Sequence, residues 1–159
     1  MSSTALELLK FIAQAAVVGI GWWIVHRLSV ARDMEKARRE MVAKSADGLI
    51  ESAGVLLADA RAYHLALRNT ANELKIKMTI QDMAMRVVGL SAICADNTTL
   101  AACRAAIAAS RRAITSAHFD DEHDAPLEDS NPQFDEIAES VLRTKRCLLK
   151  LKHTQFAFD

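Results

Sequence analysis

His118 and His123 flank a run of acids, Asp120, Asp121, Glu122 and Asp124, and imidazole with carboxylate is a donor set that holds divalent metals. The spacing matches neither the tetrahedral zinc patterns nor a calcium loop, which needs a glycine at its sharp turn and regularly spaced acids. The surrounding stretch 118–132, HFDDEHDAPLEDSNP, also contains both prolines of the chain. A solvated, mobile acidic linker is therefore the expected state, with His118 and His123 as the metal candidates and no resident cofactor expected. Cys94, Cys103 and Cys147 are an odd set with no C-x-x-C spacing, and a reducing compartment is the simpler reading. Cys94 and Cys103 fall on apolar helix faces, where a free thiol behaves as a small hydrophobe. His64, beside Tyr63, reads as a partly exposed helix residue. The glycines at 19, 21, 48, 54 and 89 assemble no phosphate-cradling loop. No nucleophile, base and orienting group converge, so no catalytic residue is assigned, and a metal-dependent enzyme built on the acidic linker is the least favoured reading.

The 159 residues carry 20 Lys+Arg against 20 Asp+Glu, which removes any global electrostatic case for nucleic-acid binding. Arg104, Arg111 and Arg112 lack nearby aromatics for base stacking. Pairing with the acidic linker is their expected use.

The elements that must position these residues begin with FIAQAAVVGIGWWIV, residues 11–25, a run without a charge. Leu6, Leu8, Leu9, Leu28 and Val30 lengthen it, and Lys10 and Arg27 have stems long enough to snorkel. Trp22 and Trp23 are placed for a lipid-water boundary. The expectation is a transmembrane helix over 11–30 behind a short extracytoplasmic segment, 1–10, with Lys10, Trp22, Trp23 and Arg27 at the interface. Thr4 and Glu7 fit a capping box at its start. Ala15 and Gly19 form a small-xxx-small pair that suits close helix association. A buried core helix and a cleaved secretory signal ending at Ser29-Val30-Ala31 are the alternatives. Arg27, Arg32, Lys36, Arg38, Arg39 and Lys44 follow the run, diluted by Asp33, Glu35 and Glu40. This asymmetry puts the N-terminus outside and the C-terminus in the cytoplasm of a bacterial inner membrane.

A helical domain is expected over 31–117. Ala46, Leu49, Ala53, Leu56, Ala60, Tyr63 and Leu67 recur at steps of three and four. Leu74 to Ile80 alternates like a strand, but Thr79 as an N-cap, with Met78 stapled to Met83, accounts for it as the start of a helix running through Val87, Leu90 and Cys94. After the Asp96-Asn97-Thr98-Thr99 turn comes a helix with Leu100, Cys103, Ile107, Ser110 and Ile114 on one side. Asn131-Pro132 opens a last amphipathic helix, 133–152, acidic early and basic late, with Phe134, Ile137, Val141, Leu148 and Leu151 as its docking face.

The juxtamembrane run Gly21-Trp22-Trp23-Ile24-Val25-His26-Arg27-Leu28-Ser29, followed by Arg32-Asp33, and the late Leu142-Arg143-Thr144-Lys145-Arg146-Cys147-Leu148 stretch resemble a group of small bacterial single-pass, membrane-anchored helical proteins of unknown function. The resemblance implies an inner-membrane anchor with a cytoplasmic helical domain, and no catalytic residues. The expected fold is all-α: a single N-terminal transmembrane helix followed by a cytoplasmic helical-hairpin bundle. The expected function is a non-catalytic binding or assembly module. Its expected partners are membrane lipid, an unidentified protein and a second copy of itself. The alternative is a membrane effector or stress-defence component whose helical sensor controls oligomerisation in the bilayer.

Overall fold

The computed structural model describes residues 3–116, 119–120 and 125–155, without the side chains of residues 3–9, 12 and 13. Its helices are α1 (Ser3–Leu65), α2 (Thr70–Leu90), α3 (Asn97–Ile114) and α4 (Pro132–Thr154), and no strand occurs among the described residues. The protein is all-α. Two compact units divide the chain, Met1–Arg38 and Arg39–Asp159.

In the first unit the apolar run keeps its side chains on the outside. Val17 and Val18 are each 71% exposed, and Ile20, Trp22, Trp23, Ile24 and Val25 are also exposed. These positions lie all around the helix at 100° per residue, so no side of the run from Val17 to Val25 is covered by the described residues. Among the described residues no helix is long and apolar enough to cross a membrane, which departs from the expected span over 11–30. Ile12 and Ala13 are outside the described side chains. From Gln14 onward a full span's length must take in Gln14, His26 and Arg27, whose polarity lowers the mean hydropathy. The capping box of Thr4 and Glu7 also lies outside the described side chains.

The second unit is a four-helix bundle built from residues 39–65 of α1 and from α2, α3 and α4. Val42, Ala46, Leu49, Ala53, Leu56, Ala60 and Tyr63 are all buried, a stripe produced by the three-four spacing. Leu67 falls beyond the end of α1 and is 73% exposed. Gly48 does not break α1.

The start of α2 differs from the expectation. Asn69 caps it, its side chain accepting from the amides of Ala71 and Asn72 at 3.0 and 3.4 Å, so the strand-like alternation lies inside a helix. Ile76 and Ile80, four apart, are buried; Leu74 and Met78 are exposed. Thr79 is interior, its hydroxyl donating to the Lys75 carbonyl at 2.9 Å. The cap at Asn69 satisfies otherwise unpaired amides nearly three turns earlier than Thr79 would, and the longer helix buries more apolar surface. Asp96 caps α3 by accepting from the Thr99 amide at 2.9 Å, and Asn131 with Pro132 opens α4.

Cross-helix contacts fix the topology. Asp59 meets Lys75 and Gly48 faces Arg86, so α1 and α2 are antiparallel. Asp47 meets Lys152 and Gly54 faces Lys145, so α1 and α4 are antiparallel. Ser110 and Thr144 share a buried hydrogen bond of 3.0 Å between α3 and α4. The bundle is up-down-up-down. Its α3 face is the one expected, since Leu100, Cys103, Ile107, Ser110 and Ile114 are all buried; on α4, Ile137, Val141, Leu148 and Leu151 are buried and Phe134 is half-buried.

At its described residues the linker expected over 118–132 is exposed from Ala125 to Ser130, apart from half-buried Leu127, but it is anchored at particular points. Phe119 is only 4% exposed and belongs to the core. The Leu127 amide donates to the His64 carbonyl at 2.8 Å, and Asp129 pairs with Arg61 at 2.6 Å. One aromatic ring and two tethers hold down a segment whose composition is polar.

Candidate functional site

The end of the bundle where α1 and α3 finish and α2 and α4 begin gathers an aromatic and ionisable cluster. His64, expected to be partly exposed, has no exposed surface. Its Nε2 lies 3.1 Å from the Ile114 carbonyl. A carbonyl only accepts, so Nε2 carries the proton. Tyr63 and Phe119 pack around the imidazole, with ring centroids 5.3 and 6.2 Å away, and Phe134 lies edge-on at 6.3 Å. The signal for His64 was faint: it sits one residue past the Tyr63 stripe, at the edge of the buried face.

Lys77 sits at the rim of this cluster. Its Nζ donates to Glu73 Oε1 at 2.9 Å and to Asp120 Oδ1, and lies 5.6 Å from the Phe119 ring. Hydrogen bonds to Asp120 and then Glu73 hold the Lys77 ammonium above its ordinary pKa. Asp120 is held below the usual carboxylate range, first by its hydrogen bond with Glu73 and then by Lys77. Burial, followed by the nearby Glu73 charge, raises the Tyr63 phenol. Glu73 is itself buried, with Arg68 3.8 Å from its second oxygen. Asp120 adopts φ 58°, the left-handed region that Asp enters more readily than most side chains. The arrangement is a clasp that fastens residues 119–120 onto α2. It holds no paired nucleophile and base.

A groove of about 810 Å³ lies along α2 and α3. Ile80 and Ile107 floor it, Ala84, Val88 and Ala108 wall it, and Lys77, Arg104 and Arg111 stand at its edges. Arg104 and Arg111 are exposed, and neither has an ion pair within the described part of the linker. Asp120 and Asp129 of the linker engage Lys77 and Arg61; Asp121, Glu122 and Asp124, three of the acids expected to pair with Arg104, Arg111 and Arg112, lie outside the described residues.

The remaining predicted positions fall as follows. Lys10 and Arg27 are exposed. Trp22 stacks on His26 with ring centroids 5.3 Å apart, and the Arg27 guanidinium lies 5.1 Å over the Trp23 ring. These are pairs four residues apart on one helix. Ala15 and Gly19 are open, with nothing within 4 Å of a Cβ placed on Gly19. His118 and His123 lie outside the described residues. Among the described residues no group of three His, Cys, Asp or Glu is arranged to hold a metal. All three cysteines are free thiols; Cys94 and Cys103 are buried, and burial, with Cys147 nearby, pushes the Cys103 thiol up to about 12.

Comparison of the chain with protein families, curated proteins and solved structures returned no match.

Proposed function

We propose that the chain is a membrane-anchored helical binding or assembly module, with residues 11–30 as the anchor and the four-helix bundle as a cytoplasmic, non-catalytic unit. One observation carries the anchor. Apolar side chains from Val17 to Val25 are exposed around the whole helix circumference, with no buried residue among them. So large an unpartnered apolar surface is unstable in water and stable in hydrocarbon. The polarity that lowers the mean hydropathy sits where a bilayer tolerates it best: Arg27 and Lys10 have stems that reach the headgroups, and Trp22 and Trp23 favour the interface. The cations that follow Arg27 orient the C-terminus to the cytoplasm.

Flotation of the full-length chain with vesicles, followed by alkaline carbonate washing, tests the anchor. Retention in the membrane fraction is expected. Release of intact chain into the supernatant overturns it. A periplasm-dependent reporter fused after Asp159 should be silent. The alternative, an effector that oligomerises in the bilayer, draws on the open face at Ala15 and Gly19. It requires membrane depolarisation on overexpression that Gly19→Leu abolishes.

A further inference from the structure

α2 carries two apolar faces. Ile76, Ile80, Met83, Val87 and Leu90 point into the bundle, whereas Leu74, Met78, Met85 and Val88 are 50–65% exposed. At 100° per residue the two sets lie on opposite sides of the helix, so the outer set does nothing for the bundle's own core. It borders the α2/α3 groove through Val88. On the α3 side, Ala108 is small and lets an incoming backbone approach closely.

Charge at the groove selects the occupant. Lys77 and Asp120, both in the lining, neutralise each other. Arg104 and Arg111 therefore set the sign of the groove. They are seven residues apart, two helical turns or about 10.5 Å along the axis. A strand or an extended peptide repeats differently; a second helix lying along the groove offers side chains at the same two-turn interval.

We propose that the groove between α2 and α3 receives an acidic amphipathic helix from a partner protein, with its apolar face on Ile80, Val88 and Ile107 and carboxylates two turns apart meeting Arg104 and Arg111. This deepens the reading of the bundle as a binding module and rests on it. The surrounding surface supports a protein rather than a nucleic acid, because among the described residues no aromatic side chain on which a base would stack lines the groove.

The test uses the full-length chain in a nonionic detergent. The probe is a fluorescein-labelled helical peptide of about five turns, with leucine and alanine on one face and glutamates two turns apart; its isomer has lysine in their place. Anisotropy should report micromolar binding of the glutamate peptide and affinity at least about tenfold lower for the lysine isomer. R104E/R111E, at exposed positions, should reverse that preference. Val88→Asp should weaken both peptides while leaving the circular dichroism spectrum unchanged. Binding of neither peptide overturns the proposal, as does equal binding that ignores the charge reversal. Self-association that Val88→Asp abolishes also overturns it, because a second copy would then fill the groove. Vesicle flotation of the same preparation scores the anchor separately, so failure of the groove and failure of the anchor are told apart.

Discussion

Val17 and Val18 in the first unit and Val42 and Leu49 in the second belong to one helix and have similar chemistry, yet the first two are 71% exposed and the last two have no exposed surface. Propensity does not separate them, because all four are helical. The difference lies in what each segment has to pack on. Residues 42–63 place large apolar groups on a single stripe with alanines between them, and three further helices cover that stripe. Residues 15–25 are apolar on every side and have no covering element among the described residues of their own unit. A one-sided stripe is solved by a bundle, and an all-round apolar helix requires a different environment.

Truncations to alanine in the two units should expose this difference most strongly. Leu49→Ala is expected to destabilise the bundle by about 2–5 kcal/mol, through lost burial and a residual cavity. Val18→Ala is expected to change the same unfolding transition by less than about 0.5 kcal/mol. Urea titration of the full chain in detergent, followed by circular dichroism, checks both; equal effects would erase the contrast.

Thiol chemistry sharpens the comparison within the bundle. With its thiol pushed up to about 12 and no exposed surface, Cys103 is protected twice over. At mildly alkaline pH its thiolate population should be roughly a thousandfold below that of an ordinary cysteine. Iodoacetamide labelling read by mass spectrometry should modify half-buried Cys147 first, and Cys103 only after denaturant is added.

A smaller effect is expected at the α3 cap. Hydrogen bonds from the Thr99 hydroxyl and amide lower the Asp96 pKa. A lowered folded-state pKa gives stability that is present above the unfolded carboxylate value and is lost as pH falls through the folded value. Asp96→Ala should therefore cost about 1 kcal/mol at neutral pH, with the gap to the unsubstituted chain narrowing in acid. Asp96→Asn, which still caps, should lose the pH dependence and retain most of the neutral-pH stability. Denaturant melts at several acidic pH values check the pair.

The smallest expected change is at Gly48. A Cβ there meets the Arg86 Nη2 at 2.7 Å, and that atom is the far end of a flexible side chain that pairs with Asp82 at 3.6 Å. Arg86 can swing away. Gly48→Ala should then stabilise the bundle by up to about 1 kcal/mol. A loss of stability would show that Arg86 is fixed more firmly than that single ion pair implies.

Much of the bundle was legible because its signals are local. The stripes on α1 and α3, the Asp96 and Asn131 caps and Pro132 at the start of α4 are all written within a few residues of one another. Thr79 shows the limit of local reasoning. It has the right residue type for a cap, but Asn69 occupies that role upstream and leaves Thr79 to bond back to Lys75. His64 and Glu73 were missed for a different reason. Each stands at the edge of a buried face, and whether an edge residue is covered depends on elements far away in sequence: Ile114 and Phe134 for His64, Asp120 for Glu73. The same holds for Phe119, a lone aromatic in an acid-rich run.

The sequence by itself determined the all-α class, the bounds of α3 and α4 and the apolar, charge-free stretch ahead of a basic cluster, because helix periodicity and capping are set by hydrogen bonds and side-chain spacing within one or two turns. Only the tertiary structure decided that the 119–120 segment is clasped to α2, that an imidazole lies at the core's polar end, and that α2 keeps a second apolar face uncovered. Those outcomes depend on which surfaces meet after the chain has doubled back three times, and burial free energy acts between surfaces however far apart they lie in sequence.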